Sequence, residues 1–200
     1  MNHLAHALLA GDEADCVLGS LLGDFVHGRI PEGLRTGVER GIRLHRAIDV
    51  FTDAHPRIAT LRSHFAAPFR RYAGILLDVW FDHLLARDFA RWSPIPLYVF
   101  SDQVLTLLQD HDPELPPAMR RFVVYMRRGG LLAAYADSAV IGRALSGIGS
   151  RLSRANPLHE ALPVLQTLDA ELQAGFDQFF PHLVDFACDW RRRHAASSTG

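Results

Sequence analysis

The amino-acid sequence predicts an all-α fold, a single compact multi-helix domain. Three observations carry that expectation. Apolar residues recur at spacings of three and four, not two, along nearly the whole chain. Two hundred residues fit one ordinary domain and suffice to bury a sizeable core. No internal repeat, low-complexity block or shift in composition divides the chain, so the domain is expected over 1–194 with a small, polar, frayed tail at 195–200.

Taken in order, a short helix is expected over residues 2–10, where Gly11-Asp12 breaks it. Asp12 is placed to cap a second helix over 13–27, closed by Pro31 and Gly33. A third helix, 35–54, carries Val38, Ile42, His45, Ile48 and Asp49 and stops at Pro56. A short helix over 56–66 and a longer one over 70–91 follow, the latter ended by Ser93-Pro94-Ile95-Pro96. Helices over 97–110 and 116–128 are separated by Asp112-Pro113 and Pro116-Pro117. Gly129-Gly130 marks a break, residues 131–146 are expected to be helical in two pieces, and Gly147-Ile148-Gly149-Ser150 reads as a flexible turn leading to Arg151 and Arg154. The last helices run over 157–193, with Pro163 and Pro181 as start or kink points.

Composition narrows the function classes. Apolar residues make up 48% and charged residues 22%, a globular profile, and the formal net charge of −1 argues against wholesale nucleic-acid binding. All 21 basic residues are Arg, which excludes lysine Schiff-base and P-loop chemistry and points to guanidinium contacts with phosphate or carboxylate. Cys16 and Cys188 lie far apart among apolar neighbours and read as free thiols, which suits a reducing compartment. Met1 to His6 lacks the positive start of a signal peptide, and the apolar runs 75–80 and 131–135 are too short to span a bilayer; a cytoplasmic protein without membrane attachment is expected.

His and Asp residues stand on otherwise apolar helices. Asp24 lies within Leu21-Leu22-Gly23-Asp24-Phe25-Val26, where an isolated charge is costly unless it is paired or metal-bound. His45 and Asp49 are four residues apart on one helix face, with Asp53 a further turn along; they suit a shared divalent ion, and equally an ion pair with Arg43 or Arg46. Asp78 and Asp82 repeat that spacing among Ile75, Leu76, Leu77, Val79, Trp80 and Phe81, with His83 turned about 100° from Asp82. His3 and His6 are three apart near the N-terminus, His3 being expected to be exposed and without a role. Together His6, Asp24, His45, Asp49, Asp78, Asp82 and His83 form an oxygen-and-nitrogen ligand set without thiolate, suited to Mn²⁺, Mg²⁺ or Fe²⁺. Spacing alone does not bring these helices together, and it leaves a nucleotide or other small phosphoester hydrolase, or a helical binding module, as alternatives.

Asn2 to His6, Gly19 to Gly28, Gly41 to Pro56 and Asp78 to His83 resemble, in order, the signature blocks of the acyl carrier protein phosphodiesterase family. Gly147 to Arg154 and Phe179-Phe180-Pro181 are similar to its later blocks, so the resemblance spans nearly the whole chain. Two positions depart from the pattern: His3 stands where an aromatic residue is expected, and Gly23 where Ala is usual. The resemblance implies an HD-domain-like helical scaffold that converts holo acyl carrier protein to apo protein and 4′-phosphopantetheine, with Mn²⁺ favoured. It implies that Asp24 is essential and that His45, Asp49, Asp78, Asp82 and His83 belong to the site. Within that site His6, Asp24, His45 and Asp78 are expected nearest the metal, with Asp49 binding it directly or orienting an imidazole; Asp82 and His83 are expected to act in catalysis, His83 as general acid because an imidazole can hold a proton near neutral pH. A carrier of this kind is small and acidic. Docking is therefore expected on Arg120, Arg121, Arg127 and Arg128, continued by Arg143, Arg151 and Arg154.

Overall fold

The computed structural model describes residues 2–129 and 131–195, and among them the regular elements are helices, with no strand. In chain order these are α1 (His3–Leu9), α2 (Ala14–Leu22), α3 (Thr36–Ala54), α4 (Pro56–Ser63), α5 (Ala73–Arg87), α6 (Leu97–Asp110), α7 (Pro117–Gly129), α8 (Leu131–Ala134), α9 (Ser138–Arg151), α10 (Leu162–Thr167) and α11 (Asp169–Ala195). The all-α expectation holds. One continuous apolar core runs through them. Its centre is α5, which buries Leu76, Leu77, Val79, Trp80, Phe81, Leu84 and Leu85; α11 closes over it with Phe176, Phe179, Phe180 and Leu183. No helix among the described residues is long and apolar enough to cross a membrane.

Two contacts position the site. The first is the approach of α2 to α3, where Gly19 and Gly41 let the backbones touch. A Cβ on Gly19 would sit 2.0 Å from the Val38 carbonyl oxygen, and one on Gly41 would sit 2.2 Å from that of Cys16. The second is the fastening of α1. The Asn2 side chain accepts from the His3 N–H, and the buried Asp82 carboxylate accepts from Leu4 N (2.8 Å) and Ala5 N (3.1 Å), so a residue 78 positions from Leu4 satisfies the buried first-turn amides of the helix. Ser20 Oγ adds a bond from α2 to the His6 carbonyl at 3.1 Å.

Several expected boundaries move. The helix expected over 13–27 stops at Leu22, passes into a 3₁₀ turn at Gly23–Phe25 and leaves through Gly28 at φ +71°. Its cap position is Glu13, with no side-chain capping bond, so Asp12 does not play that part. The flexible turn expected at 147–150 is helical. α9 runs on to Arg151 because Val140, Ile141, Ala144 and Leu145 are buried on one face, and Asn156 Nδ2 donates to the Gly149 carbonyl at 2.9 Å; this packing outweighs the weak helix preference of glycine. Pro181 lies inside α11 without ending it. Gly130 and the tail from residue 196 lie outside the described residues.

Candidate active site

The close pairing of α2 with α3, and the anchoring of α1 on α2 and α5, brings three of the sequence-marked groups to one point. His6 from α1 and His45 from α3 stack with ring centroids 3.9 Å apart and planes 20° from parallel. Asp49, one turn beyond His45, reaches both: Oδ1 lies 3.2 Å from His6 Nε2, and Oδ2 lies 3.2 Å from His45 Nε2. One potential ligand atom from each of His6, His45 and Asp49 falls within 4.8 Å of the others. The 3₁₀ turn after α2 delivers Asp24 to the same His45 nitrogen, with Oδ1 at 3.5 Å from Nε2. His3 then approaches the second oxygen of Asp24, at 3.3 Å.

The protonation pattern suits a cation. His45 Nδ1 donates to the Ser20 carbonyl at 2.8 Å, which turns Nε2 toward the carboxylates; a cation there would take the place of the Nε2 proton. Both ring nitrogens of the buried His6, and Nδ1 of His3, lack a hydrogen-bond partner; the His6 and His3 contacts with Asp49 and Asp24 are close but not aligned as hydrogen bonds. Burial is the largest influence on His6 and lowers its pKa to about 4 against the pull of Asp49, so it is neutral at pH 7. Burial also pulls on His45, but Asp24 and Asp49 together raise it to about 9. Burial pushes Asp24 up, yet the neighbouring imidazoles bring it down to about 2, and Asp49 is likewise held well below the carboxylate range by His45 and His6. Two imidazole nitrogens and ionised carboxylates around one point, with buried ring nitrogens unsatisfied, fit a hard-to-borderline divalent ion.

Asp24, His3 and Asp78 also line a cavity of about 660 Å³. Asp78 therefore shares the site through the cavity rather than through the His6–His45–Asp49 cluster. Two expected catalytic groups are placed otherwise. Asp82 is fully buried, with each oxygen bonded to a backbone N–H of α1, so its position is that of an anchor for the helix bearing His6. His83 is outside the cavity lining; its Nδ1 donates to the Tyr135 carbonyl at 2.7 Å and its ring packs 4.6 Å from Trp80. Burial lowers its pKa, which does not suit a general acid at neutral pH. Asp53 is drawn away to Arg62 at 2.5 Å. His3, expected to be exposed, is largely covered and touches Asp24; its i,i+3 spacing with His6 was the available signal.

The arginines divide. Arg120, Arg121, Arg127 and Arg128 are exposed on α7 around Val124 and Tyr125, themselves 50% and 49% exposed, while Met119, Val123 and Met126 face the core. Arg120 Nε is held by the Leu115 carbonyl at 3.1 Å. Arg121 and Arg151 line the cavity with Asp24; Arg127, Arg128, Arg143 and Arg154 do not.

Residues 1–183 match the family model described as acyl carrier protein phosphodiesterase. The chain is 35% identical over 190 residues to a Serratia proteamaculans protein of that name, covering 94% of this chain and 98% of the relative. It is 36% identical over 189 residues to an Escherichia coli O157:H7 protein of the same name, covering 92% and 96%. No solved structure matches the chain. Over nearly its whole length, then, this chain belongs to the acyl carrier protein phosphodiesterase family.

Proposed function

We propose that this protein hydrolyses the phosphodiester linking 4′-phosphopantetheine to the serine of holo acyl carrier protein, releasing the apo carrier and 4′-phosphopantetheine. The observation that carries the reading is the convergence of His6, His45 and Asp49 beside a cavity that Asp24 and Asp78 line, in a chain of this family. His6, His45 and Asp49 would hold a divalent cation, Mn²⁺ first and Mg²⁺ or Fe²⁺ next, with Asp24 and Asp78 alongside. Such an ion supplies Lewis acidity, which polarises a phosphoryl oxygen and acidifies water.

The chain's own residues do the rest. The Ser20 carbonyl fixes the His45 tautomer and ring direction. Asp49 spans both imidazoles and keeps them stacked. Asp24 is ionised at neutral pH and lines the cavity, so it can accept a hydrogen bond from attacking water and orient it, and it has no proton to donate. Asp82 and His83 act by position, holding α1 and the Tyr135 segment against α5. The carrier, small and acidic, docks on the outer face of α7, where Arg120, Arg127 and Arg128 surround Val124 and Tyr125, with Arg154 nearby in the chain after α9. Unbridged Cys16 and Cys188 fit action in the cytoplasm.

Incubation with holo carrier protein and Mn²⁺, followed by intact mass measurement, tests the reaction. Loss of the phosphopantetheine mass is expected, and Asp24→Ala should abolish it with helicity by circular dichroism unchanged. A carrier that keeps its prosthetic group while a nucleotide is hydrolysed instead would overturn the substrate assignment.

A further inference from the structure

The cavity beside Asp24 carries two cations that metal binding does not use. Arg121 projects from α7 and Arg151 from the end of α9, and both line the cavity that holds Asp24, Asp78 and His3. Among the described residues neither makes an ion pair or a side-chain hydrogen bond, unlike Arg35, Arg43, Arg62, Arg87 and Arg91 elsewhere in the chain. Much of the remaining lining is apolar: Phe25, Ile75, Val79, Phe122 and Ile148. The lining thus combines carboxylates suited to a cation, two guanidiniums without an acidic partner, and apolar surface. That pattern fits a substrate with a phosphate at one end and an aliphatic arm behind it.

We propose that Arg121 and Arg151 form a phosphate clamp, gripping the non-bridging oxygens of the scissile diester while the apolar wall receives the arm of the prosthetic group. The assignment rests on the phosphodiesterase reading above and separates these two arginines from those that dock the carrier. Guanidinium pairs phosphate oxygens in a two-pronged, charge-assisted geometry that a rim contact with a protein surface does not need. Both residues are exposed at the cavity mouth, so replacing them leaves the core untouched.

The test is a binding measurement on the Mn²⁺-supplemented protein by titration calorimetry. Its two probes are 4′-phosphopantetheine and pantetheine, which differ by the phosphate alone. Wild type should bind the phosphorylated compound more tightly. Arg121→Gln combined with Arg151→Gln should weaken that binding about 10- to 100-fold and leave pantetheine binding unchanged. Equal affinity of wild type for the two probes, or an unchanged affinity in the double variant, would overturn the clamp. An equal loss in Arg127→Gln combined with Arg128→Gln would overturn it as well, because general positive charge would then explain the effect. Failure of wild type to act on holo carrier protein would sink the proposed reaction instead and leave the phosphate comparison standing.

Discussion

Replacing Gly41 by Ala tests whether backbone contact between α2 and α3 assembles the site. The new Cβ would lie 2.2 Å from Cys16 O, 2.7 Å from Ser20 N and 2.8 Å from Gly19 Cα, all backbone atoms that cannot rotate aside. Restoring an ordinary contact of 3.4 Å requires α2 and α3 to part by roughly 1.2 Å at this point. His45 follows Gly41 by one turn, and its 2.8 Å bond to the Ser20 carbonyl would stretch to about 4 Å, beyond hydrogen-bonding range. Overpacking of this kind costs about 3 kcal/mol, or about 6–12 °C in melting temperature for a chain of this length. Displacement of the imidazole should lower turnover about a hundredfold. Gly147→Ala is the control: it is also helical, but its Cβ would meet nothing within 4 Å, and it should raise stability by about 0.5–1 kcal/mol. Thermal melting and turnover of the three proteins decide the matter. A Gly41→Ala protein with wild-type melting temperature and turnover would refute the argument that this contact builds the centre.

Three further outcomes follow from the geometry. Asp82→Ala strands the Leu4 and Ala5 amides in the interior and should cost about 2–4 kcal/mol by urea denaturation, with Asp82→Asn costing less. Burial raises the Asp82 carboxyl to about 7 despite those two bonds, so the folded state holds its proton more tightly than the unfolded chain. Its contribution is therefore complete below about pH 4 and fades as pH climbs through 7, and the stability difference from Asp82→Asn should shrink across that window. At pH 7 His45 carries a proton and His6 does not, so Mn²⁺ uptake should release about one proton per ion, measurable by calorimetry in buffers of different ionisation enthalpy; release of two would contradict the neutral state of His6. Arg127→Glu combined with Arg128→Glu should raise KM for holo carrier steeply and flatten its salt dependence, with kcat preserved; an unchanged KM would remove this face as the dock.

Much of this was legible in the residue pattern. The spacing of His45 and Asp49 on one amphipathic helix needs no tertiary information, and the apolar surroundings flagged buried polarity correctly at Asp82 and His83, while Asp78 is half-buried at the cavity. What the pattern did not encode was direction. Asp82 and His83 are adjacent and both buried, yet one caps α1 and the other bonds the Tyr135 carbonyl, because partners 52 to 78 positions away decide where each side chain turns. Asp24 was expected within a helix; a 3₁₀ turn at Gly23–Phe25 instead aims it into the cavity. Local glycine chemistry misled at 147–150, where tertiary packing extends α9 and so delivers Arg151 to the cavity. His3 was dismissed as a terminal residue because nothing local shows that α1 is clamped into the interior by Ser20 and Asp82.

The most direct test is Mn²⁺ binding itself, followed by electron paramagnetic resonance on protein stripped of metal and titrated at pH 7. Stoichiometric uptake is predicted for wild type, with losses of at least tenfold in affinity for His6→Gln, His45→Gln and Asp49→Asn, and little change for His83→Gln. Wild-type affinity in the His6, His45 and Asp49 variants, or no specific uptake by the intact protein, would contradict a metal centre at the meeting of α1 and α3.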